Sequence, residues 1–402
     1  MKLWSTLGPA RMKAKRVQPG KPPIQQHPIR LLTAVPICDG HDSAINTINL
    51  EFVRHGMEII YLGYHRPAQE IVRAAIQEDV QAIGLSSYNG GHVEFFAEVV
   101  ALLKERGARD IGVFGGGGGT ISAADARVMR RHGVDAIFFA GTPLTQMVEF
   151  VERTYGRGPG KRPALRSSKR SPGLDTELAR LLTVAATDTH AGLPARSNRP
   201  DGQAAPLTVG ITGPGGAGKT TLIDEFVLRF LKARPKGRLA ILSHDPSLVN
   251  AGALLGDRAA MIHAQDDRVF MRSLGTGGRA GGLSPATERC LEVLRQGAFD
   301  LILVETAGSG QEALPFSRQL VDQAVLVMSP DYGSRLQLQK IVMLDVADVV
   351  VVNKADRPGA KTAAAEIEQR LQLNGRDQKL ICTTAKKHRD PGVDELFQLL
   401  SS

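Results

Sequence analysis

Cysteine is scarce. The 402 residues contain three, Cys38, Cys290 and Cys382, far apart and without C-x-x-C spacing. That excludes a disulfide framework and points to a reducing compartment, the cytoplasm. No apolar run is long enough to span a membrane, so no membrane partner is expected. Residues 1–30 hold Lys and Arg but no acid and no long apolar core, which excludes a secretory signal. Pro19-Gly20 and Pro22-Pro23 would break the amphipathic helix of a transit peptide, and residues 1–28 are expected to be a disordered tail. The net charge is +9, but much of the excess sits in residues 1–30 and 152–200. No basic stripe interleaved with aromatics lies on a folded element, and nucleic acid is not an expected partner.

What is present is a repeated alternation of strand, loop and helix. The strand patterns are Arg30–Val35, Met57–Leu62, Val80–Leu85, Ile111–Phe114 and Val134–Phe139. Helical patterns lie at Asp42–Arg54, Ala68–Gln77, Val93–Glu105 and Ala123–Arg131. A second alternation fills residues 206–402. The fold class is therefore α/β, with two doubly wound parallel-sheet domains at 29–151 and 206–402. Between them, residues 152–205 read as a basic linker, with one short helix at Leu174–Ala185.

The most specific motif is Gly213-Pro214-Gly215-Gly216-Ala217-Gly218-Lys219-Thr220, a P-loop between the strand Leu207–Thr212 and a helix entered at Thr221. The glycines Gly213, Gly215, Gly216 and Gly218 let backbone N–H groups wrap a phosphate chain. Lys219 would reach the β- and γ-phosphates, and Thr220 would hold Mg²⁺. Asp245 ends the strand Leu239–Ser243 and either contacts Mg²⁺ or makes an Asp-Pro turn. Glu305-Thr306-Ala307-Gly308 follows the strand Leu301–Val304. It is either a strand-end turn or a carboxylate near Mg²⁺ followed by a glycine N–H for the γ-phosphate. Asn353-Lys354-Ala355-Asp356 follows four valines. Asp356 there accepts from guanine N1–H and the 2-amino group, which selects GTP over ATP. Thr383-Thr384-Ala385 would complete the base site.

In the first domain each polar signature follows a strand, so all fall on one sheet edge. Asp39-Gly40-His41-Asp42 leaves two readings open: a metal-ligating His41 oriented by Asp39, or a helix N-cap beside an exposed histidine. Ser86-Ser87-Tyr88 follows the third strand. Gly115 to Gly119 follow the fourth; a run of five glycines suits a large flat ligand against the backbone.

Asp39-x-His41, Ser86-x-Tyr88 and Gly115-Gly116 resemble the D-x-H-x-x-G, S-x-L and G-G signatures of the cobalamin-binding domain of acyl-CoA mutases. The likeness implies a flavodoxin-like fold and His41 as the cobalt ligand, oriented by Asp39. Ser86, Tyr88, Gly115 and Gly116 would then line a channel for the displaced dimethylbenzimidazole tail. Ala44 and Tyr88 depart from that pattern, at its Gly and Leu positions. Residues 206–402 resemble the G-protein chaperones associated with methylmalonyl-CoA mutase, through the P-loop, Asp245-Pro246-Ser247, Leu255-Gly256-Asp257-Arg258, Glu305 to Gln311 and Asn353 to Asp356. That resemblance adds Asp257 to the Mg²⁺ shell, makes Lys219, Asp257, Glu305 and Gly308 the hydrolytic set, and assigns switch regions to 260–285 and 308–316. Ala260 stands where the family has a second arginine thought to help hydrolysis.

The domain order, with Met271-Arg272-Ser273-Leu274, resembles the amino-terminal part of fused isobutyryl-CoA mutases. The acyl-CoA-binding barrel of those enzymes is not among these residues. The resemblance thus implies a GTPase that loads or guards adenosylcobalamin for a mutase whose large subunit is a separate partner, or whose barrel was lost from this chain. An adenosyltransferase is a further expected partner, and a homodimer the expected state. Two other readings stay open: a cobalamin carrier with little GTPase activity, and a corrinoid methyl-transfer protein.

Overall fold

The computed structural model describes residues 28–36, 43–88, 90–117, 119–156, 174–188, 192, 204–247, 251–308, 315–332 and 342–401. Among these, the first domain runs β1 (Arg30–Ala34), α1 (Ser43–Arg54), β2 (Glu58–Tyr61), α2 (Ala68–Gln77), β3 (Ala82–Ser86), α3 (His92–Glu105), β4 (Gly112–Gly117), α4 (Ala123–Arg131), β5 (Ala136–Phe139) and α5 (Leu144–Tyr155). Helix α6 (Leu174–Thr187) follows. The second domain runs β6 (Leu207–Thr212), α7 (Lys219–Ala233), β7 (Leu239–Asp245), β8 (Ala253–Leu255), α8 (Asp257–Ala260), β9 (Val269–Gly275), α9 (Thr287–Gln296) and β10 (Leu301–Glu305). It ends with β11 (Gln323–Met328), β12 (Val349–Val352), α10 (Ala360–Asn374), β13 (Lys379–Cys382) and α11 (Pro391–Ser401).

Both sheets are parallel, and their strands read as continuous apolar runs because helices cover both faces. β12 is four buried valines. The first sheet has the order β5-β4-β3-β1-β2-β8. Its five native strands follow the flavodoxin-like sequence, with the reversal between β1 and β3. The second sheet has the order β13-β12-β11-β6-β10-β7-β9. Its reversal lies beside β6, the strand that feeds the P-loop.

The sixth strand of the first sheet belongs to the second domain. β8 pairs in parallel with β2, Glu58 to Ala253 and Ile60 to Leu255. Ala253 and Leu255 are buried in the first domain's core beside Leu32, Ile60 and Val72. Gly252 is required here: a β-carbon would strike the carbonyls of Val53 and Met57. Three residues lack the length or periodicity to read as a strand; the partner β2 makes it one. Helix α5 was also not anticipated. It buries Met147, Val148 and Val151 and runs past residue 151 to Tyr155. Within the segment expected to be linker, α6 packs Leu178, Ala179 and Leu182 against the second sheet's core.

A buried charge cluster fastens the two domains. Glu78, at the C-terminal end of α2, is fully buried. Its carboxylate accepts from Arg30 Nη2 at 2.9 Å, Arg258 Nε at 3.2 Å, and Ser273 N and Oγ at 3.0 and 2.9 Å. Arg272 Nε lies 4.0 Å away. Gln77 donates to Val269 O at 2.9 Å and accepts from Arg258 Nη2 at 3.1 Å. Asp79 accepts from Thr183 of α6 at 2.7 Å. Burial, then the charge of Arg30, pushes the Arg272 guanidinium down to about 10, so it stays charged at neutral pH.

Replacing Glu78 with Gln keeps the shape and removes the negative charge that the arginines share. Stability should fall by about 3–5 kcal/mol. A urea melt of the variant checks this, and a midpoint equal to the parent's would show that the carboxylate carries no such weight.

Candidate functional site

The P-loop is built by backbone that tolerates no side chain. Gly213 sits at φ 146° and Gly218, at the start of α7, at φ 91°. A β-carbon at Gly213 would strike Val327 O, and one at Gly218 would strike Asn353. α7 begins at Lys219 itself, so its N-terminal amides and positive dipole end face the loop, the arrangement that binds phosphate. Lys219 is buried, and its ammonium donates to Gly213 O at 3.0 Å and Pro214 O at 3.3 Å. Burial lowers its pKa, against the pull of Glu305 and Asp257.

Around Lys219 stand Asp245, Asp257 and Glu305. Glu305 Oε1 accepts from Thr220 Oγ1 at 2.7 Å, and Asp257 Oδ2 accepts from Ser243 Oγ at 2.5 Å. Glu305 Oε2 and Asp245 Oδ2 are buried with no hydrogen-bond partner. Burial, with the Asp257 charge next, pushes Glu305 up to about 8 and Asp245 up to about 7. Orphaned carboxylate oxygens that resist ionisation suit a divalent cation. Among the described residues no three acidic, His or Cys side chains close into a ready metal site.

Gly308 lies directly on the P-loop. A β-carbon there would come within 2.7 Å of Gly215 Cα and 3.3 Å of Lys219 Nζ. On the base side, Asn353 Nδ2 donates to Ala217 O at 2.9 Å, while its Oδ1 accepts from Thr383 Oγ1 and Ala385 N, each at 3.1 Å. Asn353 thus ties the P-loop to the loop carrying Thr384 and Ala385. Lys354, at φ 59°, donates to Gly216 O. Asp356 is held by an ion pair to Lys386, a neighbour the motif did not point to. Thr221 is exposed on the first turn of α7.

In the first domain, Asp39 and His41 lie outside the described residues. Ser86, Tyr88, Gly115 and Gly116 all line one cavity of about 700 Å³, under the carboxyl ends of β1, β3 and β4. The glycine run has a reason inside the fold itself. A side chain at Gly115 would meet Leu85 O and Phe96, one at Gly116 would meet Phe138 O, and one at Gly117 would meet Ser87 O. These glycines let neighbouring strands close up, and their backbone becomes cavity wall. Ala44 also lines the cavity, so the extra methyl at the motif's Gly position faces that space. The cavity is walled mostly by apolar groups, including Ile48, Phe52 and Phe114, and has Thr33 Oγ1 as a buried hydroxyl without a partner. That lining fits the dimethylbenzimidazole base of a cobalamin's nucleotide tail.

One segment joins the two sites. β8 extends the first sheet, and Asp257, just after it, lies near Lys219, Glu305 and Asp245. The next residue, Arg258, is fully buried and turned to Glu78, Gln77 and Met271 O. Arg66 of the first domain caps the same segment, donating to Ala259 O at 2.8 Å. Asp257 lies near Lys219 and Glu305; the motif included Arg258 but did not reveal its partner Glu78, which lies far away in the chain and carries no motif.

A family model described as methylmalonyl Co-A mutase-associated GTPase MeaB matches residues 191–401. A model of the B12 binding domain matches residues 29–148. A fused isobutyryl-CoA mutase of Geobacillus kaustophilus is 37% identical over 396 residues, covering 93% of this chain and 36% of its own length. One of Cupriavidus metallidurans is 36% identical over 411 residues, with 94% and 36% covered. The mitochondrial methylmalonic aciduria type A homolog of Mus musculus is 37% identical over 158 residues, 38% of this chain and 37% of that one. The chain spans about a third of the length of these fused relatives.

Gly308→Ala would force the 308 loop off Gly215. The variant should keep GDP affinity within a few-fold and lose about ten- to a hundredfold of GTP affinity, the worth of one hydrogen bond to a charged group. Calorimetric titration with GDP and a non-hydrolysable GTP analogue checks this.

Proposed function

The chain belongs to the methylmalonyl Co-A mutase-associated GTPase MeaB family and carries a B12 binding domain beside it, and on that premise we propose that it loads or guards adenosylcobalamin for an acyl-CoA mutase, under the control of GTP. The mutase would be of the isobutyryl-CoA or methylmalonyl-CoA type, with its substrate-binding portion on another subunit. An adenosyltransferase that delivers the cofactor, a homodimer and a cytoplasmic setting belong to the same proposal.

The observation that carries it is the segment Gly252 to Ala260. It is at once an edge strand of the cobalamin-side sheet, a neighbour of the nucleotide loop through Asp257, and a buried contact of Glu78 through Arg258. A change at Asp257 on nucleotide exchange would move a strand of the other domain.

The same proposal assigns the residue roles. The P-loop amides, Lys219 and Thr220 bind the β- and γ-phosphates; Asn353, Lys354, Asp356, Thr384 and Ala385 form the guanine site. Gly308 senses the γ-phosphate by its contact with the P-loop. Mg²⁺, when bound, would screen phosphate charge beside Thr220, Asp257, Glu305 and Asp245. Hydrolysis here is positioning and charge stabilisation rather than covalent chemistry. Asp39 and His41 would hold the corrinoid, with Ser86, Tyr88, Gly115 and Gly116 along its tail. Adenosylcobalamin, when bound, supplies a cobalt–carbon bond whose homolysis starts a radical carbon-skeleton rearrangement.

A second reading, a carrier with slow turnover, is favoured by α8. Ala260 ends in a methyl group, and Arg258 is turned into the domain interface, so neither gives a cation to the phosphates. Intrinsic GTP hydrolysis should be slow and rise when a partner supplies charge; turnover with and without a mutase large subunit separates the two readings.

Arg258→Met keeps the bulk and removes the link to Glu78. Adenosylcobalamin affinity should differ several-fold between the GTP-analogue and GDP states of the parent protein, and the ratio should fall towards one in the variant. A parent ratio of one would sink the coupling. His41→Ala should leave the visible spectrum of bound cofactor without its histidine-ligated form, and an unchanged spectrum would remove His41 as ligand.

A further inference from the structure

The loop from Thr276 to Ala286, between β9 and α9, is tied to the phosphate end of the nucleotide site along its length. At its start, Thr276 N donates to Asp245 O at 3.0 Å, Gly277 N to Ser247 Oγ at 2.8 Å and Gly278 N to Ser247 O at 2.6 Å. Further on, Gly282 O accepts from Ala307 N at 2.9 Å, and Ala307 precedes Gly308, which lies on the P-loop. Just past its end, Thr287 meets the ring of His244, whose other nitrogen meets Glu305 O.

Between the first and second anchors stands Arg279. Gly277 and Gly278 precede it and Gly281 and Gly282 follow it, with φ of 58°, 74°, 88° and 73°. Paired glycines on either side let the tip turn where residues with side chains would resist. Arg279 is exposed, and among the described residues nothing pairs with its guanidinium. It lies three residues from Gly282, at most about 10 Å of extended chain. That puts the space beside Gly308 within reach of an arginine side chain.

The phosphate end of the site is short of positive charge. Asp245, Asp257 and Glu305 crowd around one ammonium, Lys219. Arg258 is committed to Glu78, and Ala260 offers no charge. Negative charge spreads over the γ-phosphate oxygens as the phosphoryl group transfers, and a guanidinium placed there stabilises it.

The inference rests on the GTPase reading and goes beyond it. We propose that Arg279 is the hydrolytic cation of this chain: the glycine-hinged tip folds over the phosphates, and the guanidinium binds the γ-phosphate oxygens as they gain charge. The water oxygen bonds to the γ-phosphorus, the bond from phosphorus to the β–γ bridging oxygen breaks, and GDP departs with the electron pair. A proton of the water passes to a phosphate oxygen, and Arg279 stays protonated throughout. Ordering the glycines costs conformational entropy, so closure is rare in the chain alone. A partner that holds the tip down then speeds turnover without a cation of its own.

The test is single-turnover GTP hydrolysis by the full chain, with binding of GDP plus aluminium fluoride, a mimic of the transferring phosphoryl group. Arg279→Ala should slow hydrolysis about a hundredfold and abolish the gain in GDP affinity that aluminium fluoride brings to the parent. GDP and a non-hydrolysable GTP analogue should bind parent and variant alike. An unchanged rate in Arg279→Ala, or a loss of GDP affinity equal to the loss of rate, overturns the proposal. So does full acceleration of the variant by a mutase large subunit, which would assign the cation to the partner. A parent that binds GTP and never hydrolyses it, with or without that subunit, overturns it too. A parent that binds no guanine nucleotide brings down the GTPase reading itself.

Discussion

One carboxylate holds the two halves of this molecule together. Glu78 is fully buried and shared by arginines from three places in the chain: Arg30 on β1, Arg258 after β8, and Arg272 on β9. Moving such charges out of water costs several kcal/mol for each ion unless opposite charge and hydrogen bonds compensate. Compensation here is close to balanced, because Glu58 and Asp79 add their charges against the same arginines. It is not complete: Arg258 Nη1 and Arg272 Nε and Nη1 make no hydrogen bond. A network satisfied in this partial way fixes the relative register of two domains without the stability of an apolar interface of the same size.

That arrangement bears on signalling. A nucleotide can influence a distant ligand only by as much as it favours one arrangement of a shared element over another. The shared element is short and stiff. It runs from Gly252, wedged under the carbonyls of Val53 and Met57, through Asp257 beside Lys219, to Arg258 against Glu78. Linkage makes the influence mutual, so a ligand that shifts the first domain's edge must alter nucleotide preference by the same factor. His244 adds a brace inside the second sheet. Its ring contacts Glu305 O at 2.7 Å and Thr287 at 2.9 Å, and burial drives its pKa down to about 4, which keeps it neutral.

The strands and helices that carry period were legible in the residues. α2 and α4 run over the expected spans, and so do β6 and β12, because apolar periodicity and turn residues mark them locally. The nucleotide loop was legible because its chemistry requires fixed residue types at fixed spacing. β4 runs on through Gly117, beyond the expected end at Phe114, since what looked like a glycine loop is strand packed against strand. β8 was invisible, because three residues become a strand only where a partner edge exists. The roles of Glu78 and Arg272 were equally hidden. Each is an ordinary residue in its own element, and its meaning comes from neighbours distant in sequence.

β8 also changes what counts as a unit of this protein. A sheet that ends at β2 would present a bare row of backbone donors and acceptors to any passing strand. The second domain closes that edge and lends Ala253 and Leu255 to the core beneath it. Cut between the two sequence families, the first piece would lose both its seal and part of its interior, while the second would be left with Arg258 and Arg272 uncovered. The two domains therefore exchange as a pair: recombination that brought in a different GTPase would have to bring a matching edge strand, a glycine at its start and an arginine at its end.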